Sequence, residues 1–139
     1  MKNKKTIEIL SELYFPFSFY LLEDELQALQ LVVDITTAAM IERTDFLEDP
    51  NVLKDDIYLY RKLYELALKR RSQISLEENC ISLKEKASLY LFENLDFPLE
   101  KVALILDMTV IDLKQIISSS RTKVLHTIQS NAMQEYHAN

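Results

Sequence analysis

The residues of this chain best placed to do chemistry are cations. Lys69, Arg70 and Arg71 form an unbroken run, and Lys114, Arg121 and Lys123 recur further on, the first two separated by two helical turns. Cations grouped in this way neutralise phosphates, releasing counterions as they do so, or close the last turn of a helix against its dipole. Tyr58, Tyr60 and Tyr64 lie close to the first group. They could stack on bases, although their helical spacing suits core packing better. Other chemistry finds little support. His126 and His137 are too far apart for a paired metal motif, and Cys80 is the single cysteine, so no zinc spacing exists. The carboxylates at 23–25 and 45–56 lack the glycine and the spacing of a calcium loop. No serine, cysteine or lysine stands in a nucleophile motif. The chain therefore reads as a non-enzyme, with no cofactor and no metal expected.

The elements that must position these cations are helices. The 139 residues contain no glycine and three prolines, where about ten glycines would be usual. Tight hairpins and phosphate-cradling loops need positive φ angles that glycine supplies most readily, so both are disfavoured. With 48% hydrophobic and 27% charged residues the chain can bury a core. No window approaches the ~20 apolar residues of a membrane span, and Glu8 and Glu12 interrupt what would otherwise resemble a leader after Lys2, Lys4 and Lys5. A soluble, cytoplasmic protein is expected, with Cys80 a buried, inert thiol. The net charge is −6 and is unevenly spread: residues 1–56 carry five Lys/Arg against twelve Asp/Glu, and the remainder is nearly balanced. An acidic N-terminal part discourages phosphates and suits solubility or a basic protein partner.

Periodicity divides the chain further. Ile7, Leu10 and Tyr14 predict a short helix that Pro16 ends or kinks, leaving Phe17, Phe19, Tyr20, Leu21 and Leu22 as core material. Asp24 and Gln27 have capping-box spacing ahead of a helix over about 24–43, whose apolar face is read as Leu29, Val32, Thr36 and Met40 with Ala28, Ile35 and Ala39 beside them. After a connection over 44–54, Asp55 or Asp56 caps a third helix, with Ile57, Tyr60, Leu63, Ala67 and Leu68 on one face. A polar connection, Ser72 to Cys80, is the best boundary. Ser82 and Glu85 repeat the capping-box spacing before Leu83, Ala87, Leu91 and Leu95. Pro98 opens a short helix to about 106, residues 107–109 turn, and Thr109 caps a final helix carrying Val110, Leu113, Ile117, Val124 and Ile128 to roughly 130. The fold class is all-α, in two modules: 1–72, a connection at 73–80, and 81–139, the last containing a helix-turn-helix.

The string from Phe92 to Leu106 resembles the C-terminal DNA-binding region of bacterial sigma factors of the extracytoplasmic-function type, and Val110, Lys114, Arg121 and Lys123 fall on positions of that family's recognition helix. The segments Leu59-Tyr60-Arg61, Leu66-Ala67-Leu68 and Lys69-Arg70-Arg71 look like a helix of the family's region 2. Leu21-Leu22-Glu23-Asp24, with Ala28, Leu31 and Val32, looks like the segment before it. The resemblance spans roughly residues 13–128 in the family's own order. It implies a region 2-like module followed by a region 4-like module, DNA contacts from Arg61, Lys69, Arg70, Arg71, Lys114, Arg121 and Lys123, and protein contacts from Gln30, Val33 and Asp34.

Several departures qualify it. Gln30 and Val33 stand where working family members dock on polymerase with acidic and amide groups, and only Asp34 matches the following acid. Glu65 replaces an asparagine that faces promoter DNA, Asp112 replaces a threonine, and Ile116 and Ser119 replace basic residues. Losing these contacts and adding two acids should weaken DNA binding by orders of magnitude at physiological salt. Glu23, Asp107 and Ile111 occupy glycine places. Aspartate tolerates the left-handed region, so the turn at 107 can survive, while Ile111 is expected to be helical. Three readings stay open. A sigma-like decoy could bind a regulatory, anti-sigma-like protein. A divergent sigma factor could bind core RNA polymerase and a promoter. A helical adaptor outside transcription could use Phe15 to Leu22 as an exposed strip.

Overall fold

The structure, a computed structural model, describes residues 2–42, 56–73 and 82–138, with side chains placed over 8–42, 56–70 and 82–125. It is all-helical; among the described residues there is no strand. The helices are α1 (Lys2–Leu22), α2 (Glu25–Glu42), α3 (Ile57–Gln73), α4 (Leu83–Leu89), α5 (Leu99–Leu106) and α6 (Val110–Ala138). Chain contacts divide into two compact units, Met1–Leu76 and Glu77–Asn139. The expected connection at 44–54, most of the one at 72–80 including Cys80, and the side chains of His126, Ile128 and His137 lie outside the described residues.

In the first unit α1 continues through Pro16, the residue expected to end or kink it. Pro16 is inside the helix, which leaves one carbonyl without its i+4 donor, at a cost near ~3 kcal/mol in a helix interior. Leu10, Tyr14, Phe17 and Leu21 repeat at intervals of three and four and are fully buried on both sides of Pro16. Each such side chain contributes about 1.5–3 kcal/mol by leaving water, so continuing the helix wins. Pro16 and Glu12 are both exposed, so the carbonyl deprived of its partner faces solvent and can be hydrated. The same periodicity sorts the stretch after Pro16, whose large side chains are all expected in the core. Phe17, Leu21 and Leu22 are core, while Phe19 is exposed.

A two-residue connection then reverses the chain. Asp24 accepts from the Gln27 amide at 2.9 Å through Oδ1, giving α2 its N-cap. At the start of α3 it is Asp56, accepting from the Leu59 amide at 3.0 Å. α2 buries Ala28, Leu31, Val32, Ile35, Ala38 and Ala39, and α3 buries Leu59, Tyr60, Leu63, Tyr64 and Ala67. Tyr60 sits at the centre, its ring 5.4 Å from Tyr14 in an edge-on arrangement and 6.0 Å from Phe17. The interleaved tyrosines thus split, with Tyr60 and Tyr64 in the core and Tyr58 exposed. Leu68, expected in the core, is 42% exposed, because it falls off the Leu63 and Ala67 face.

The second unit opens with the capping box in full: the Ser82 hydroxyl accepts from the Glu85 amide, and the Glu85 carboxylate accepts from the Ser82 amide. α4 does not continue as a regular helix to Leu95. From Tyr90 to Asn94 the backbone is π-helical, with the Leu95 amide bonded to the Tyr90 carbonyl at 3.1 Å. The wider turn leaves Leu95 only half-buried, in place of the core position expected of it, while Leu91 is fully buried. Pro98 is the N-cap of α5 and not its first helical residue. α5 buries Val102, Ala103, Ile105 and Leu106 against α6, which contributes Leu113, Ile117 and Ser120. Val124 is only half-buried, since α6 outruns its partners, ending at Ala138 and not near 130.

Three turns use left-handed residues, none of them glycine: Glu23 (φ 56), Asp96 (φ 55) and Asp107 (φ 55). Around Asp107 the Met108 amide reaches the Ala103 carbonyl at 3.0 Å and the Asp107 amide reaches Leu104, the hydrogen-bond pattern of a Schellman stop. Asp107 thus takes the left-handed role expected of it, and Ile111 lies inside α6. A left-handed L-residue costs roughly 1–2 kcal/mol, and glycine gives back part of that as unfolded-chain entropy. Glu23→Gly should therefore stabilise the first unit by about 0.5–1 kcal/mol, and Asp107→Gly the second by less, because aspartate tolerates the region better. Urea denaturation of each variant measures both, and a loss of stability in either rules out the left-handed turn at that residue.

Candidate functional site

Three of the cations singled out from the sequence, Arg70, Arg121 and Lys123, are drawn into ion pairs. Antiparallel packing of α2 and α3 brings Arg70, near the end of α3, against the first half of α2. Its Nη2 donates to Asp34 Oδ2 at 2.7 Å, and its Nη1 to Gln27 and Gln30 at 2.8 and 2.9 Å. Residues 27, 30 and 34 share one face of α2 by helical spacing, so one guanidinium fork spans two turns. A cation assigned to DNA and two residues assigned to a protein partner, Gln30 and Asp34, are thereby joined. At the other end of the pair Glu42 accepts from Lys62 at 2.8 Å and from the Tyr58 hydroxyl. The Lys62 bond, then the Tyr58 bond, hold the Glu42 carboxyl below its usual range. The same contacts raise Lys62 and Tyr58.

On α3, Arg61 is half-buried and Lys69 and Glu65 are exposed. The Arg71 side chain lies outside the described residues.

Within the second unit two cations of α6, Arg121 and Lys123, face acids of their own chain. Arg121 Nε donates to Glu93, with its guanidinium 5.8 Å from the Phe92 ring. Lys123 donates to Glu85 at 3.0 Å, and Ser120 donates to the same carboxylate at 3.1 Å. Burial works to raise Glu85, but bonds from Lys123, Ser82 and Ser120 outweigh it and the carboxyl sits below its usual value. A carboxylate lowered in this way contributes stability that is present above its unfolded pKa and is lost as pH falls through the folded one. The second unit should therefore melt at progressively lower temperature as pH drops below about 4.5, the ordinary value for the group. In Glu85→Gln this part of the pH dependence should disappear, and an unchanged acid profile would sink the assignment. Lys114 is exposed, as are Asp112 and Ser119, while Ile116 is half-buried.

The feature that sequence reasoning missed is the outer face of α2. Leu26 (62% exposed), Leu29, Val33 (62%), Met40 and Ile41 all stand in solvent. Leu29 and Met40 had been expected in the core. Leu26, Val33 and Met40 repeat every seven residues with Leu29 between the first two, the spacing of a coiled-coil seam. α2 carries three acids, Glu25, Asp34 and Glu42, and no Lys or Arg. The available signal was that the helix is apolar nearly all round, which gives two competing faces and no clear choice of the buried one.

No helix is long and apolar enough to cross a membrane among the described residues. Groups of three or more His, Cys, Asp or Glu able to hold a metal ion are also absent there. No family model, curated protein or solved structure matches the chain.

Proposed function

We propose that the chain is a sigma-factor-like regulator that works through protein contacts, a decoy for an anti-sigma-like protein with weakened DNA binding. The observation that carries this reading is the solvent-facing apolar seam of α2, which includes Val33 and lies beside Gln30 and Asp34. Exposed apolar surface arranged as a continuous helical stripe is a mark of a partner site. The charge arrangement supports it. Arg70, Arg121 and Lys123 are each engaged by carboxylates of their own chain, and a phosphate would have to displace those acids before gaining anything. We read α5, the turn at 107–109 and α6 as a helix-turn-helix kept as scaffold. In its recognition helix the exposed Ile111 and Asp112 stand where duplex contacts would be made.

The mechanism is competition. A decoy that binds the inhibitor removes it from a true sigma factor by its own affinity and concentration, with no change in the sigma factor itself. The exposed Lys114 favours a second reading, a divergent sigma factor on core RNA polymerase. Capture with the full tagged chain from its native cell, followed by reconstitution of purified components, separates the two. A small regulatory protein that binds the chain directly and releases a sigma factor on doing so supports the decoy. Direct binding to core polymerase with promoter-dependent transcription supports the second reading and removes the first.

A further inference from the structure

A cavity of about 400 Å³ opens on the second unit between the π-helical segment, α5 and α6. Its size falls within the usual range for small-molecule sites. One side is a single face of α6, since Lys114, Ile117, Ser118, Arg121 and Thr122 follow helical spacing. The rest of the lining is Phe92, from the π-helical segment, and Leu99, from the first turn of α5. The floor is therefore apolar, formed by the two aromatic and aliphatic side chains with Ile117, which is only 4% exposed. Two cations stand two helical turns apart, about 10 Å along the axis, and no carboxylate lines the cavity.

The details of Arg121 sharpen the chemistry. Its Nε is bonded to Glu93, which fixes the guanidinium beside Phe92. Its two terminal Nη groups have no partner among the described residues, and a planar pair of N–H donors fits a carboxylate in bidentate fashion. The π-helical turn contributes both parts of this arrangement. It carries Phe92, which walls the cavity, and Glu93, which orients the arginine. Such turns are frequent where a helix has been adapted to a ligand.

The geometry points to a binding site for a small organic carboxylate with an apolar body, the anion on Arg121 or Lys114 and the body against Phe92, Leu99 and Ile117. A phosphodiester backbone has no apolar body for the floor, and an inorganic anion leaves it exposed to water. The site makes no use of α2, so it stands apart from the decoy reading. Because Lys114 and Arg121 are also the cations through which α6 would meet phosphate, an occupied cavity and a bound duplex exclude one another.

The test is an amide-shift titration of the full, isotope-labelled chain with phenylacetate, with phenylacetamide, inorganic phosphate and a short random-sequence duplex as separate arms. Saturable shifts at Phe92, Leu99, Ile117 and Ser118 are expected with phenylacetate at millimolar concentration, and none with the neutral amide. Lys114→Gln, which alters an exposed side chain and should leave the helical signal unchanged, is expected to weaken the carboxylate by about tenfold if the anion sits on Lys114. Arg121→Gln does so if it sits on Arg121. The proposal is overturned if phenylacetate gives no saturable shifts at these residues, if inorganic phosphate or the amide matches it, or if neither variant weakens it. Duplex shifts on Lys114 and Arg121 that phenylacetate does not displace overturn it as well.

Discussion

Leu31→Ala should cost the first unit about 3–4 kcal/mol, whereas Leu29→Ala, two residues earlier on the same helix, should change its stability by less than ~0.5 kcal/mol. Leu31 is fully buried, and Leu29 is 45% exposed. Truncating a buried leucine loses the transfer free energy of three carbons and leaves a cavity, together 2–5 kcal/mol. Truncating an exposed one loses little of either and improves helix propensity slightly. For a unit of this size 3–4 kcal/mol is a large share of the ~5–15 kcal/mol typical of whole domains, so Leu31→Ala should lower the urea midpoint sharply. Urea denaturation followed by circular dichroism measures the pair. Similar losses from both would mean that the Leu29 face is covered, and the seam on α2 would no longer be a surface.

That contrast also marks where sequence reading succeeds. Caps are local chemistry: Asp24, Asp56, Ser82 with Glu85, and Thr109 bond backbone amides three residues on, and all were legible from residue type and spacing. The left-handed turn at Asp107 was expected from the resemblance, which puts a glycine place there, and aspartate can adopt the positive φ. That α1 would continue past Pro16 was not legible, because local propensity sees only the missing amide. The compensating burial of Tyr14, Phe17 and Leu21 depends on α2 and α3, which no short window contains. The π-helical turn had no visible signal, since inserting one residue into the helical repeat leaves the composition unchanged. For the candidate site, the individual residues could be named but their partners could not. Arg70 read as a solvated helix end or a phosphate ligand until antiparallel packing set it across Gln27, Gln30 and Asp34, a pairing over some forty positions of sequence.

The variant with the largest expected functional effect is Val33→Asp. Val33 lies in the middle of the α2 seam at 62% exposure, with Leu26 and Met40 one heptad away on either side. Its side chain touches solvent in the unbound chain, so the substitution should alter stability by under ~0.5 kcal/mol. In a complex through this face, aspartate has to be stripped of water with no basic residue of α2 to pair with it, and the valine contact is lost at the same time. Burying a carboxylate among apolar groups opposes binding strongly unless the partner supplies a cation, and central interface positions commonly account for 2–4 kcal/mol. Affinity for the captured regulator should therefore fall by at least about 100-fold, measured by calorimetry with purified proteins, while circular dichroism and urea midpoint stay unchanged. Glu65→Ala, on an exposed position of α3, serves as the matched surface control and should bind as the parent does. Undiminished binding by Val33→Asp would place the partner on another face and remove the observation on which the decoy reading rests.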